Sequence, residues 1–169
     1  SAKRGGPGPG SPAHVPHGIA TPCKLARITE GELKADIATR LADIPTVSFP
    51  GAQSWRVALP VLQALQAKTV RVSFDADADT NKNVARPLLE CCEHLQAQGY
   101  ALELERWPAE HGKGIDDLLA GWRTPEVITG GAALAMAHDI AAAAGAAERP
   151  VLLYHRNWTY LADWLGLTV

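Results

Sequence analysis

Apolar and polar residues alternate through Val70-Arg71-Val72-Ser73-Phe74, and the alternation then breaks into Asp75-Ala76-Asp77-Ala78-Asp79. A period of two predicts a strand that ends in carboxylates. Shorter strand patterns occupy 24–29 and 45–49, and Tyr100 to Trp107 alternates again. Helical spacing fills the gaps. It runs through Leu33, Ile37, Ala38 and Leu41 in 32–41, and through Val57, Leu59, Val61, Leu62 and Leu65 in 55–66, with Pro60 as a kink point. A long helix over 83–98 carries Val84, Leu88, Cys91 or Cys92 and Leu95 on one side and stops at Gly99. Asp116 and Asp117 open a short helix, and 130–144 is an Ala-rich helix. Residues 151–154 form a last strand or helix start, and 157–165 reads as a closing helix with Trp158 and Trp164. Strands alternating with helices predict an α/β fold: a Rossmann-like, mainly parallel central sheet with helices on both faces.

Length and composition narrow the setting. The 169 residues suffice for one domain with a sizeable core. Residues 1–22 are rich in Gly and Pro and read as an arm, or as a loop whose amides approach an anion. Residues 23–125 form the core, and 126–169 a helical extension packed on it. A net charge of −2 excludes an overall basic face for nucleic acid, so contact with DNA needs a local patch, a metal or a neighbouring domain. No run approaches the ~20 apolar residues of a membrane helix, and no secretory signal is visible. The start at Ser1 instead of Met points to a processed chain or an excised piece of a longer protein. Cys23, Cys91 and Cys92 give neither a zinc pattern nor an even disulfide set, which fits a reducing cytoplasm.

The chemistry concentrates at strand ends. If the extended backbone continues through Asp75 and Asp77, both side chains point one way. Two nearby carboxylates repel unless a cation or proton lies between them, and an oxygen-only pair suits Mg²⁺, or Mn²⁺. Glu30 lies where a strand meets a helix, with Gly31 permitting the turn and Lys34 four residues on. By itself an acid there complements the helix dipole. In Gly112-Lys113-Gly114-Ile115-Asp116-Asp117, an N-cap at Asp116 and a dipole role for Asp117 are the structural alternative to a site. No Walker pattern is present, which excludes an ordinary P-loop. Glu30, Asp75 and Asp116 all follow strands, and parallel sheets bind ligands beyond the carboxyl ends of their strands.

Three segments in order, Ile28-Thr29-Glu30-Gly31-Glu32-Leu33-Lys34-Ala35, then Phe74-Asp75-Ala76-Asp77, then Gly112-Lys113 with Asp116-Asp117-Leu118-Leu119, resemble the TOPRIM domain. Topoisomerases of types IA and II, bacterial replicative primases and some nucleases share that domain. The chain looks most like the TOPRIM-like domains of phage and plasmid replication proteins, which often accompany a helicase. The resemblance implies a general acid or base at Glu30, a Mg²⁺ site at Asp75 and Asp77 with Glu30 and Asp116 beside it, and a catalytic Lys34. It also implies nucleotide and single-stranded DNA partners. Lys34, Lys82, Arg86 and Lys113 are candidate phosphate contacts. Primases continue Asp-x-Asp with a small Ala-Gly pair; here Ala78-Asp79-Thr80-Asn81 stands instead, with Asp79 a third ligand or a cap of the next helix, the cap being the expected role.

Primase-type nucleotidyl transfer follows from the resemblance alone. A TOPRIM-type nuclease and a binding module of the same fold without catalysis are the alternatives within it. A haloacid-dehalogenase-type phosphatase also uses Asp-x-Asp, but from its first strand and with Thr two residues later, whereas Thr80 is three residues after Asp77. A glycosyltransferase Asp-x-Asp has no sugar-site signal beside it.

Overall fold

Strands Leu25–Glu30 (β1), Thr46–Phe49 (β2), Thr69–Ser73 (β3), Ala101–Arg106 (β4) and Glu126–Thr129 (β5) join in one sheet, in the order β2-β1-β3-β4-β5. The first four are parallel and β5 is antiparallel to β4. The α/β class, with helices flanking a mostly parallel sheet, is therefore as expected. The computed structural model describes residues 11–146. The first ten residues of the Gly/Pro-rich arm, the expected strand or helix start at 151–154 and the closing helix at 157–165 lie outside the described residues.

Register divides the sheet into two unlike faces. Ile28, Val47, Val70, Val72, Leu102 and Leu104 share one side and are all buried. Lys82–Ala97 (α3) and Gly130–Ala143 (α5) cover it, together with a 3-10 turn over Ala52–Ala58 that runs into Leu59–Ala64 (α2). This is the main core, and Trp55, Leu62, Leu88 and Leu95 fill it. Cys91 and Cys92 are both buried in it as free thiols. Burial raises both, Cys92 from 9.0 to about 12.

The opposite face is polar yet largely buried. Arg27, Thr29, Thr46, Ser48, Ser73 and Glu105 are each under 5 % exposed. Glu105 accepts from Arg27 Nε at 2.9 Å and Nη2 at 2.8 Å, and also from Ser73 Oγ. Arg71 pairs with Glu103 at 2.6 Å beside them. A buried ion pair persists only when its geometry is good and its other valences are satisfied, and the fork of Arg27 on Glu105 meets that condition. The network ties β1, β3 and β4 together below their carboxyl ends.

Helices Glu32–Ala42 (α1) and Ile115–Ala120 (α4) pack on each other around Ala38, Ile115, Leu118 and Trp107. Here one expectation fails. Of the expected stripe Leu33, Ile37, Ala38 and Leu41, Ala38 alone is buried: Leu33 is 69 % and Leu41 51 % exposed, while Ala35 turns inward beside Ala38. Small residues let α1 lie close to a sheet face built of polar side chains, and the larger apolar residues are left outside.

Other boundaries also move for local reasons. The helix expected over 55–66 begins as the 3-10 turn, and Pro60 takes an early position of α2, where a missing N–H costs nothing, so no kink forms. Pro87 lies inside α3 and cannot bond the carbonyl four residues back. That carbonyl, of Asn83, accepts instead from Gln53 Nε2 at 3.2 Å. Residues 126–129 were expected to belong to a helical extension; they form β5 and complete the sheet. The arm is anchored at His14, whose backbone exchanges hydrogen bonds of 2.9 and 3.0 Å with Ser48 and covers the edge of β2.

Candidate functional site

The chain reverses its direction across the sheet between β1 and β3, and ligands of such sheets bind beyond the strand ends at that point. Glu30 ends β1, and Asp75 lies two residues past β3, its parallel neighbour. The glutamate and the aspartates therefore meet at one rim, 45 residues apart along the chain for the nearer pair.

Glu30 Oε2 accepts from the Ala52 amide at 2.9 Å, and Oε1 is buried with no hydrogen-bond partner among the described residues. Burial first, and the nearby Asp75 charge second, hold its carboxyl above the usual glutamate range; the Ala52 amide and Lys34 oppose them. Asp75 is 7 % exposed. Its Oδ1 pairs with Lys34 Nζ, and its Oδ2 lies 3.6 Å from Lys113 Nζ. Lys34 thus leans back over the strand–helix junction, its stem 3.9 Å from where a Gly31 side chain would begin.

Asp77 arrives differently from the expectation. The extended backbone does not continue past Asp75, because Ala76–Asp79 turns into a 3-10 segment. Strand alternation therefore does not set a shared direction for Asp75 and Asp77. The turn nonetheless keeps both within reach of one cation, for Lys113 Nζ is 3.8 Å from Asp77 Oδ2 as well. Asp77 Oδ2 also accepts from Asn81 Nδ2 at 3.2 Å, and Oδ1 is buried with no partner among the described residues.

The loop bearing Lys113 is fastened on three sides. Ala76 N–H donates to the Lys113 carbonyl at 2.9 Å, Trp107 Nε1 donates to the Gly112 carbonyl at 3.0 Å, and Asp117 Oδ2 accepts from the amides of Lys113 and Gly114. Asp117, not Asp116, therefore satisfies the start of α4. Asp116 Oδ1 is buried with no partner among the described residues and packs on Gly114, where an added Cβ would meet it at 2.3 Å and Lys34 Cε at 2.9 Å. Gly112 has φ +124, and a Cβ there would meet Asp117 Cβ at 2.4 Å. Both glycines are required by contact. The Lys113 ammonium itself is 65 % exposed and is raised by Asp77 and then Asp75.

The remaining candidates separate from this cluster. Arg86 turns along its own helix to Glu90 at 3.1 Å, and Lys82 is exposed in the first turn of α3. Asp79 does not cap α3; Asn81 does, its side chain accepting from the Asn83 amide at 3.1 Å. Asp79 instead pairs with Arg106 Nη2 at 2.8 Å. Arg106, Trp107 and His111 were not singled out from the sequence, although the Arg-Trp-Pro break after the β4 alternation marks a strand end that turns toward the rim.

Among the described residues, no group of three or more His, Cys, Asp or Glu side chains is close enough to hold a metal ion. Glu30, Asp75, Asp77 and Asp116 hence form no ready cage. Mg²⁺ usually takes one or two protein carboxylates and keeps waters. The point that the Lys113 ammonium reaches, near Asp75 and Asp77 together, meets that smaller demand, and the bare oxygens of Asp77 and Glu30 are suitable hard donors.

No helix among the described residues is long and apolar enough to cross a membrane. No curated protein and no solved structure matches the chain. A family model described as a domain of unknown function (DUF3854) matches residues 22–124, which include every residue of the rim. The match spans more than half of the sequence, and the chain belongs to that family, DUF3854.

Proposed function

We propose that this domain performs Mg²⁺- or Mn²⁺-dependent phosphoryl transfer on nucleic acid or nucleotides, of the nucleotidyl-transfer kind made by primases, within a DNA replication protein. The observation that carries the reading is the convergence of Glu30, Asp75 and Asp77 with the lysines 34 and 113 at the sheet's reversal point. The resemblance to TOPRIM domains, and through it to phage and plasmid replication proteins, supplies the choice of nucleotidyl transfer.

Phosphoryl transfer asks a protein mainly for positioning and for positive charge near the phosphate oxygens. Asp75 and Asp77 would hold the divalent ion, which supplies charge neutralisation and polarises a hydroxyl. Lys113, exposed and loosely paired, is available to a phosphate. Lys34 fixes the Asp75 carboxylate. Glu30, whose burial favours its protonated form more than in water, holds or takes a proton beside them. Single-stranded template and nucleotides would be the substrates, a helicase domain or subunit the companion, and a reducing cytoplasm the setting.

A second reading is a nucleic-acid- or partner-binding module without catalysis, and one observation favours it: Lys34 and Lys113 already neutralise Asp75. Metal-dependent incorporation of labelled nucleotides on single-stranded templates separates the two. Activity lost in Asp75→Asn and Glu30→Gln, with folding intact, supports catalysis. Absence of turnover in the wild-type protein with every template and metal, alone and with a helicase, supports the module.

A further inference from the structure

Beside the carboxylate rim lies a groove of about 710 Å³ that the rim chemistry does not use. One wall is the 3-10 turn from Ala76 through Asp79 to Thr80; the other is the segment after β4, from Arg106 to His111; Thr124 and Glu126, before and at the start of β5, also line it. Asp77 belongs to the groove and to the rim, because its carboxylate faces Lys113. The volume falls within the roughly 300–1,000 Å³ of small-molecule sites, which combine an apolar lining with a few polar groups.

This groove has that mixture. Trp107, Pro108 and Ala109 give an apolar side, and Thr80 and Thr124 add polar residues to the lining. The Asp79–Arg106 pair is only partly covered, at 43 % and 40 % exposure, and offers a carboxylate to hydroxyls and a guanidinium to a ring edge or an anion. Arg106 is steadied by Met136, whose Sδ lies 3.6 Å from Nη1. Cationic charge sits at the end shared with the rim, on Lys113, and on the post-β4 wall, on Arg106.

We propose that the groove is a nucleoside-binding subsite, which takes the base and sugar of one nucleotide while its phosphate points toward Lys113 and Asp77. A planar heterocycle with hydrogen-bonding edges suits an apolar side with threonines and a guanidinium in the same lining, and a ribose suits the Asp79 carboxylate. The proposal rests on the phosphoryl-transfer reading of the rim and adds where the organic part of the substrate lies.

The test uses AMP, ribose 5-phosphate and inorganic phosphate, each titrated into the full chain while backbone amide NMR signals are followed. AMP should shift Ala76, Thr80, Ala109 and Thr124 and bind about tenfold more tightly than ribose 5-phosphate. Phosphate should shift only 112–114 and 75–77, and ribose 5-phosphate should shift Asp79 and Arg106 as well, through its sugar. Narrowing the groove with Ala109→Leu and Thr124→Leu, both at exposed positions, should erase the preference for AMP and leave ribose 5-phosphate binding unchanged. Equal affinities for AMP and ribose 5-phosphate, or AMP shifts confined to the rim, would overturn the subsite. Mn²⁺ titration of the wild type and Asp75→Asn tests the rim separately: equal Mn²⁺ binding in both with AMP still mapped to the groove sinks the metal reading and leaves the subsite standing.

Discussion

Lys34, in the first turn of α1, pairs with Asp75, two residues past β3, across 41 positions of chain. The contact joins the two strand–helix junctions of the sheet's reversal point and covers the aspartate on its inner side. Lys113 approaches the same carboxylate from the solvent side. One lysine is part of the frame and the other is a replaceable counter-ion. Lys113→Ala should therefore leave the fold intact and tighten Mn²⁺ binding about two- to fivefold at low salt, as expected for removal of a competing exposed charge. The difference should shrink as salt rises. Calorimetric titration at two ionic strengths checks both parts.

Gly114→Ala places a methyl group against Asp116 Oδ1 and Lys34 Cε. Asp116 can rotate away, but the Lys34 stem is held by its pair with Asp75. A loss of about 1–3 kcal/mol is expected from overpacking. Gly112→Ala adds backbone strain at φ +124 to a contact with Asp117 Cβ and should cost more. Denaturant unfolding of both variants gives the order.

Arg27 and Glu105 form the buried fork under the rim. Arg27→Met leaves a buried carboxylate without its main partner, a change worth about 3–5 kcal/mol. Adding Glu105→Gln removes the stranded charge and should restore part of that loss. Urea midpoints of the single and double variants measure the coupling.

The thiols of Cys91 and Cys92 are raised in the folded chain, so the folded state holds their protons to higher pH than the unfolded state does. Their contribution to stability is complete below the unfolded thiol range and is lost as pH rises toward the folded values. Stability should fall between pH 9.0 and about 12 because of Cys92, by about 1.4 kcal/mol per pH unit for each titrating thiol. Cys92→Val should flatten that slope. Thermal unfolding from pH 8 upward, in about half-unit steps, reads it.

The sequence made some of this legible and concealed the rest for physical reasons. Strand patterns in β1, β3 and β4 located the strands, and the acids ending β1 and following β3 located the rim. The same patterns misled about what covers the polar face. Arg27, Ser73 and Glu105 look like solvent-facing residues in sequence, yet they satisfy one another under α1. Leu33 and Leu41 look like core residues, but Ala35 and Ala38 do the packing because α1 approaches closely. Strand β5 has four residues, three of them exposed, and follows Pro125, too little for a period to register. Asp77 reached the site through a 3-10 turn that Asp-Ala-Asp-Ala-Asp does not announce. Arg106 and His111 gain meaning only when the segment after β4 is seen to fold beside that turn.

Phosphoryl transfer at this rim requires Asp75 and Asp77 to act as a cation site. Mn²⁺ binding followed by electron paramagnetic resonance, on the wild type and on Asp75→Asn, tests this most directly. Specific Mn²⁺ binding in the wild type, weakened at least about tenfold in Asp75→Asn and competed by Mg²⁺, is the predicted result. Equal Mn²⁺ binding by the two folded proteins, or none by either, would contradict it.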